Sequence, residues 1–155
     1  SYIALVTTPT TDKAMVADAT YTGTAVYTTK NLLNLTGYTD KVGYNAALTL
    51  TVKDSVVSGA ITQTTGAKRT LVTLNDAVIQ AGNNNVVFEG TATFNSRALT
   101  FTSSKDANGN YVDVPGTYKG QFAGNKAEQV VGTFESNSTA KETSIQGAFI
   151  GEKAP

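Results

Sequence analysis

The run Ala46-Ala47-Leu48-Thr49-Leu50-Thr51-Val52-Lys53-Asp54-Ser55-Val56-Val57-Ser58-Gly59-Ala60-Ile61 decides the fold. Ala46, Leu48, Leu50 and Val52 alternate with Ala47, Thr49, Thr51 and Lys53, so an extended chain carries one apolar and one polar face at period two. Asp54-Ser55 supplies a tight turn, and Val57, Gly59 and Ile61 continue the alternation on the way back. Residues 44–63 therefore read as a β-hairpin.

The same grammar extends in both directions. Upstream, Thr20 to Thr29 is rich in Thr and Tyr, as a strand is, and Lys30 to Gly43 reads as a long loop because Asn31, Asn34, Gly37, Asp40 and Gly43 interrupt it. Downstream, Thr70 to Gln80 is the next strand, after the loop 64–68. Gly82-Asn83-Asn84-Asn85 turns the chain into the Val86, Phe88, Gly90, Ala92 and Phe94 face. Ser96-Arg97 turns it again, with Leu99 and Phe101 leading a further strand, before the polar loop 103–115. Tyr118 to Gly124, Val130 to Phe134 and Ile145 to Glu152 complete the set, the last two separated by the polar loop 136–143. Gly90, Gly120, Gly124 and Gly132 fall inside strand patterns, where a missing side chain relieves crowding at a bend or opposite a bulky neighbour. No window sustains an apolar stripe at helical period. The reading is all-β: a small eight-stranded (eight or nine) antiparallel up-and-down β-barrel over 20–155, with 1–19 as an N-terminal tether or residual handle segment.

Composition narrows the chemistry. In 155 residues there are 26 Thr and 14 Gly against one Met and three Pro, which suits strands and turns. Lys+Arg and Asp+Glu number 12 each, so no basic stripe is set aside for nucleic acid. There is no His, Cys or Trp, which removes thiol, disulfide, zinc-finger and imidazole chemistry. Glu128, Glu135, Glu142 and Glu152 are spread over strands and loops without forming a catalytic pair, so no enzyme is expected. No signal peptide is visible, and a start at Ser1 rather than Met is expected of either a trimmed mature protein or an excised domain.

The last third carries a recognisable pattern. Gly116-Thr-Tyr-Lys-Gly-Gln-Phe-Ala-Gly124, Lys126-Ala-Glu-Gln-Val-Val-Gly-Thr-Phe134 and Gly147-Ala-Phe-Ile-Gly-Glu-Lys153 resemble the closing strands of the transferrin-binding protein B-like β-barrel family. Tyr21-Thr-Gly23, the Leu48 to Ile61 hairpin and Val87-Phe-Glu-Gly-Thr-Ala92 are similar to its earlier strands, so the resemblance covers roughly 20–153. The pattern departs at Ala123 and Ile150, where aromatic residues or Gly are commoner. This family comprises surface lipoproteins of Gram-negative mucosal pathogens, including factor H binding protein, haemoglobin-receptor lipoproteins and hemophilin-like haem binders. The resemblance implies a monomeric protein exposed at the bacterial outer membrane through a lipid anchor outside this chain. It implies capture of a host serum protein, a complement regulator first and transferrin or haemoglobin next, with no resident cofactor. The alternative in another class is a small-ligand carrier for haem, in which Tyr21, Tyr27, Tyr38, Tyr44 or Tyr118 would replace the missing His.

Three stretches stand out as candidate sites. Leu32, Leu33, Leu35 and Tyr38 are apolar residues in a stretch that should be polar; they form a partner contact, a plug over one barrel mouth or a short helical turn. Lys68 and Arg69, in the next loop, would rim the same end or the opposite one. Asp106-Ala-Asn-Gly-Asn-Tyr-Val-Asp113 hints at a calcium loop, but its Gly is fourth and no Glu follows, so a plain Asx-rich hairpin is the better reading.

Overall fold

The computed structural model describes residues 8–31, 39–99, 105–137 and 144–155. Within them the strands are β1 (Ala19–Asn31), β2 (Thr39–Lys53), β3 (Val56–Thr62), β4 (Thr70–Val78), β5 (Gln80–Ala81), β6 (Val86–Phe94), β7 (Val114–Ala123), β8 (Gln129–Ser136) and β9 (Ser144–Lys153). Each long strand pairs antiparallel with its neighbour in sequence, β9 returns to β1, and β4 pairs with β6. Eight strands thus close into an up-and-down barrel, and β5 is a two-residue addition on the edge of β6. The expected architecture is the one formed.

Alternation puts one side chain in two inside. Tyr21, Leu48, Leu50, Ile61, Leu74, Phe88, Phe94, Phe122 and Phe149 fill the interior with almost no exposure to solvent. Glycines make room for the rings. Gly90 lies directly across from Tyr118, Gly120 from Phe88, Gly132 from Phe149 and Gly147 from Phe134, and a Cβ at any of the four would run into the ring opposite. The rings in turn pack on one another: Phe88 with Phe122 at 5.5 Å, Phe122 with Tyr21 at 5.6 Å, Phe88 with Tyr118 at 5.9 Å. Their tilted geometry suits the aromatic quadrupole. The two buried phenols are satisfied, Tyr21 donating to the Ala127 carbonyl and Tyr118 to the Asn75 carbonyl, each at 2.5 Å.

Four local expectations are corrected. Residues 30–43 are not all loop: β1 runs on to Asn31 and β2 starts at Thr39, paired from Tyr27↔Tyr44 out to Asn31↔Thr39. Pairing of β2 with β3 begins only at Ala47, so this outer part of the hairpin needs no core face and shows no period-two apolar signal. Thr70 to Gln80 is not one strand, because β4 ends at Val78, and the buried Ile79 donates its N–H to the Ser55 carbonyl before β5. Leu99 does not lead a strand. Ser96–Leu99 is a helical turn, α1, capped by Asn95, whose side-chain oxygen accepts from the Ala98 N–H while its carbonyl accepts from Leu99. Phe101 lies outside the described residues. Gly124 sits just beyond β7 rather than within a strand, at φ +92, a left-handed conformation that glycine adopts without a Cβ penalty.

The barrel has two unlike ends. One, the turn end, holds the Asp54-Ser55 turn, the β4–β6 and β7–β8 connections and the C-terminal residues; the other, the loop end, receives the β1–β2, β3–β4, β6–β7 and β8–β9 connections. The N-terminal segment docks on the turn end. Pro9 bridges to Ala123, the Thr10 N–H donates to Phe122 at 3.0 Å, the Gly124 N–H donates to Thr8 at 2.8 Å, and the Thr10 hydroxyl donates to Gly124 at 2.6 Å. Ala123 is fully buried beside this bridge, which leaves room there for a small side chain. Thr10→Val keeps the shape and removes the hydroxyl bond. It is expected to cost about 1 kcal/mol, read as a melting temperature lower by roughly 2–4 °C.

Candidate partner interface

The strand ends Asn31 and Thr39, which flank 32–38, and Thr62 and Thr70, which flank Lys68 and Arg69, all lie at the loop end. Topology therefore puts Lys68 and Arg69 at the same end as the strand ends that flank 32–38. Lys68 and Arg69 are exposed. Their turn is closed by the Gln63 N–H donating to the Arg69 carbonyl at 2.9 Å and by the Arg69 N–H donating to Gln63 Oε1 at 3.1 Å. Leu32, Leu33, Leu35 and Tyr38 lie outside the described residues.

Other side chains join this end. Tyr27 and Tyr44, directly paired across β1 and β2, stack at 5.0 Å with 21° between their planes. Burial, followed by the neighbouring Tyr44, raises the pKa of Tyr27 above the ordinary phenol value. Tyr44 is nonetheless 42% exposed, because β2 has run past the end of β3 and no wall covers it. Tyr111 and Val112 are also exposed in the β6–β7 connection, where Lys105 lies 4.8 Å above the Tyr111 ring. Sequence periodicity gave no hint of Tyr44, since its parity is that of a core residue; only the early end of β3 exposes it.

The Asp106 loop is a hairpin tip. Asp106 Oδ1 accepts from the N–H groups of Asn108 and Asn110, both at 2.9 Å, and the Asp106 N–H donates to Asn110 at 2.8 Å. Those backbone donors, Asn110 first, hold the carboxyl below its usual pKa. The carboxylate is engaged in closing its own turn, as in an Asx-rich hairpin.

Among the described residues, buried aromatic and aliphatic side chains pack the barrel interior, and two clefts run along strand residues that include outward-facing ones. The larger, about 1140 Å³, crosses six strands along the row Tyr44, Tyr27, Gly147, Phe134, Tyr118 and Gly90, between outward residues such as Thr28, Thr133 and Gln146. Tyr21 and Tyr118 are buried and donate to main-chain carbonyls, so neither phenol is free to bind iron. The haem-carrier alternative is thereby weakened on its two interior candidates, while Tyr38 lies outside the described residues.

No protein-family model matches the chain, and no curated protein sequence matches it. Solved structures do. It is similar to transferrin-binding protein B of serogroup B Neisseria meningitidis, with 20% identity and a TM-score of 0.61 over 96% of this chain and 28% of that one. A variant of transferrin-binding protein B from Actinobacillus pleuropneumoniae H49 gives 19% identity and a TM-score of 0.66 over 95% of this chain and 66% of that one. A protein described as a surface lipoprotein gives 19% and 0.58 over 96% and 64%. The chain thus spans between about a quarter and two thirds of these structures. It has the barrel fold of transferrin-binding protein B, as the closing strands imply.

Proposed function

We propose that this barrel is a non-enzymatic surface-lipoprotein domain that captures a host serum protein through its loop end. One observation carries the reading: the N-terminal segment docks on the turn end, while the connections flanked by Asn31/Thr39 and Thr62/Thr70 emerge at the other. A lipid anchor attached ahead of Ser1, in the bacterial outer membrane, would therefore leave from one end and present Leu32, Leu33, Leu35, Tyr38, Lys68 and Arg69 at the end away from the membrane. The neighbouring structures that bind transferrin or are surface lipoproteins support the class. Within it, a complement regulator is the first choice of partner, and transferrin or haemoglobin the second.

The test is an affinity pull-down of host serum on the immobilised domain, with the eluate identified by mass spectrometry. One protein enriched to near stoichiometry is expected, and its identity decides between complement and iron. Leu32→Ser/Leu33→Ser/Leu35→Ser is expected to lower its recovery at least about tenfold at an unchanged melting temperature, because central apolar anchors dominate interface energies. Lys68→Glu/Arg69→Glu is expected to weaken capture mainly at low salt, as rim charges act on encounter. Empty eluates from the sera of several host species would overturn capture by this domain.

A further inference from the structure

The outer part of β2 has a neighbour on one side only. Val42 to Ala46 and, after a register shift, Thr39 pair with β1, whereas pairing with β3 starts at Ala47↔Thr62. The cause is local. The chain leaving β3 is turned back into β4 by the Gln63–Arg69 bonds, with Lys68 at φ +51 and its N–H on the Thr65 carbonyl at 3.3 Å. β3 therefore cannot follow β2 outward. Among the described residues no other strand pairs with that edge.

Eight residues of strand span roughly 27 Å. Successive main-chain groups point alternately to β1 and away from it, so about half of these residues offer an unpaired N–H and C=O to the open side. Folded proteins ordinarily blunt such an edge with proline, a bulge or brevity. Here a register shift falls between the Asn31↔Thr39 and Thr29↔Val42 pairs, next to the charged Asp40 and Lys41, but the run Val42-Gly-Tyr-Asn-Ala46 has no proline or charge and its register with β1 is unbroken. Gly43, Tyr44 and Asn45 are exposed, and the Tyr27–Tyr44 stack gives the edge a rigid aromatic surface.

We propose that this edge accepts an extended segment of the captured protein as an added antiparallel strand, with an acidic N-terminal end against Lys68 and Arg69. The direction follows from the topology. A strand antiparallel to β2 continues the line of β3, and so begins at the foot of the notch, where the 63–69 turn carries two cations and no carboxylate. Main-chain hydrogen bonds supply affinity in strand addition, and flanking side chains supply selectivity. The partner in this inference rests on the capture reading; the edge itself does not.

The probe is a fluorescein-labelled acetylated peptide, Glu-Glu followed by alternating Thr and Val, compared with the same peptide led by Lys-Lys and with one carrying its two Glu at the C-terminal end. Anisotropy at low salt is expected to show the acid-led peptide binding at least about tenfold more tightly than either control. Amides within 39–46 are expected to gain hydrogen-exchange protection on binding. Lys68→Glu/Arg69→Glu should reverse the preference between Glu-led and Lys-led peptides. Tyr44→Pro and Asn45→Pro delete adjacent amides that point to opposite sides, so the one that keeps the wild-type melting temperature removes an edge donor and should weaken binding severalfold. Equal binding of the three peptides, or no protection within 39–46, would overturn the proposal. Protection there without peptide, in a chain that sediments as a dimer, would assign the edge to a second copy and also overturn it. If wild type and the edge-proline variant capture the same serum protein equally well, strand addition fails while capture stands. If the peptide binds as expected and serum yields nothing, the edge stands and the capture reading fails.

Discussion

Alanine at Gly23 is expected to prevent folding, alanine at Gly90 to cost about 1–3 kcal/mol, and alanine at Gly43 to cost nothing. The three glycines lie in strands of one barrel and differ in what a methyl group would meet. At Gly23 it would overlap the Ile150 carbonyl oxygen and sit 2.7 Å from the Gly151 Cα. Both are main-chain atoms of β9, and Gly23 is paired with Gly151 in a closed sheet, so relief would require parting the strands. At Gly90 the obstacles are side chains, the Tyr118 ring at 2.8 Å and the Ala77 Cβ at 2.9 Å. The ring can shift, but only by straining the bond from its hydroxyl to Asn75, so an ordinary overpacking cost is expected. At Gly43 nothing lies within 4 Å, and alanine there restricts the unfolded chain, for a gain of up to about 1 kcal/mol. Melting curves of the three variants rank them directly, at roughly 2–4 °C per kcal/mol for a chain of this size. A Gly23→Ala protein that melts with wild type would refute the close approach of β1 and β9.

The same residues show what was legible in the sequence. Period-two alternation from Ala46 to Ile61 is a local property and survives into β2 and β3 unchanged. The partners of the interior glycines are not local. Gly120 and Phe88 are 32 positions apart in the chain and meet only through the register of β6 with β7, so the sequence showed that room was needed without showing which ring would use it. The outer β1–β2 hairpin was hidden for the opposite reason, since a strand with no core beneath it has nothing to alternate against. Placement of the loops depended on parity. One strand more or fewer moves every later connection to the other end, and the run from Leu99 to Phe101 resembled such a strand. With Ser96–Leu99 as a helical turn, the β6–β7 and β8–β9 connections fall at the same end as the β1–β2 and β3–β4 connections. The residues of that end could be named from sequence as polar-loop anomalies. Their shared location, and the exposure of Tyr44, required the strand lengths.

Between about pH 10 and pH 12 the fold is expected to lose on the order of 5 kcal/mol, enough to unfold a domain of ordinary stability. Burial, and then the negative charge of Glu128, push the Tyr21 pKa from 10 up to about 12. Burial, and then Asp76, push Tyr118 in the same direction. In both cases the folded state holds the neutral phenol, which keeps its hydrogen bond to a carbonyl inside the barrel. Below about pH 10 folded and unfolded chains alike keep these protons, and stability does not depend on the two groups. Above it the unfolded chain releases protons that the folded chain retains, so each added pH unit favours unfolding by about 1.4 kcal/mol per tyrosine until the folded pKa is passed. The measurement is the urea midpoint as a function of pH, with tyrosinate absorbance recorded in parallel to show ionisation coinciding with unfolding. Tyr21→Phe/Tyr118→Phe separates this linkage from a general effect of alkali. It leaves two buried carbonyls without their donors, so it should be less stable than wild type near neutrality by about 1–3 kcal/mol for each. Its midpoint should nonetheless fall much less steeply through the alkaline range, so that the two curves converge. A wild-type midpoint that stays level from about pH 10 to pH 12, or a double variant that falls in parallel with it, would show that the buried phenols do not govern alkaline stability.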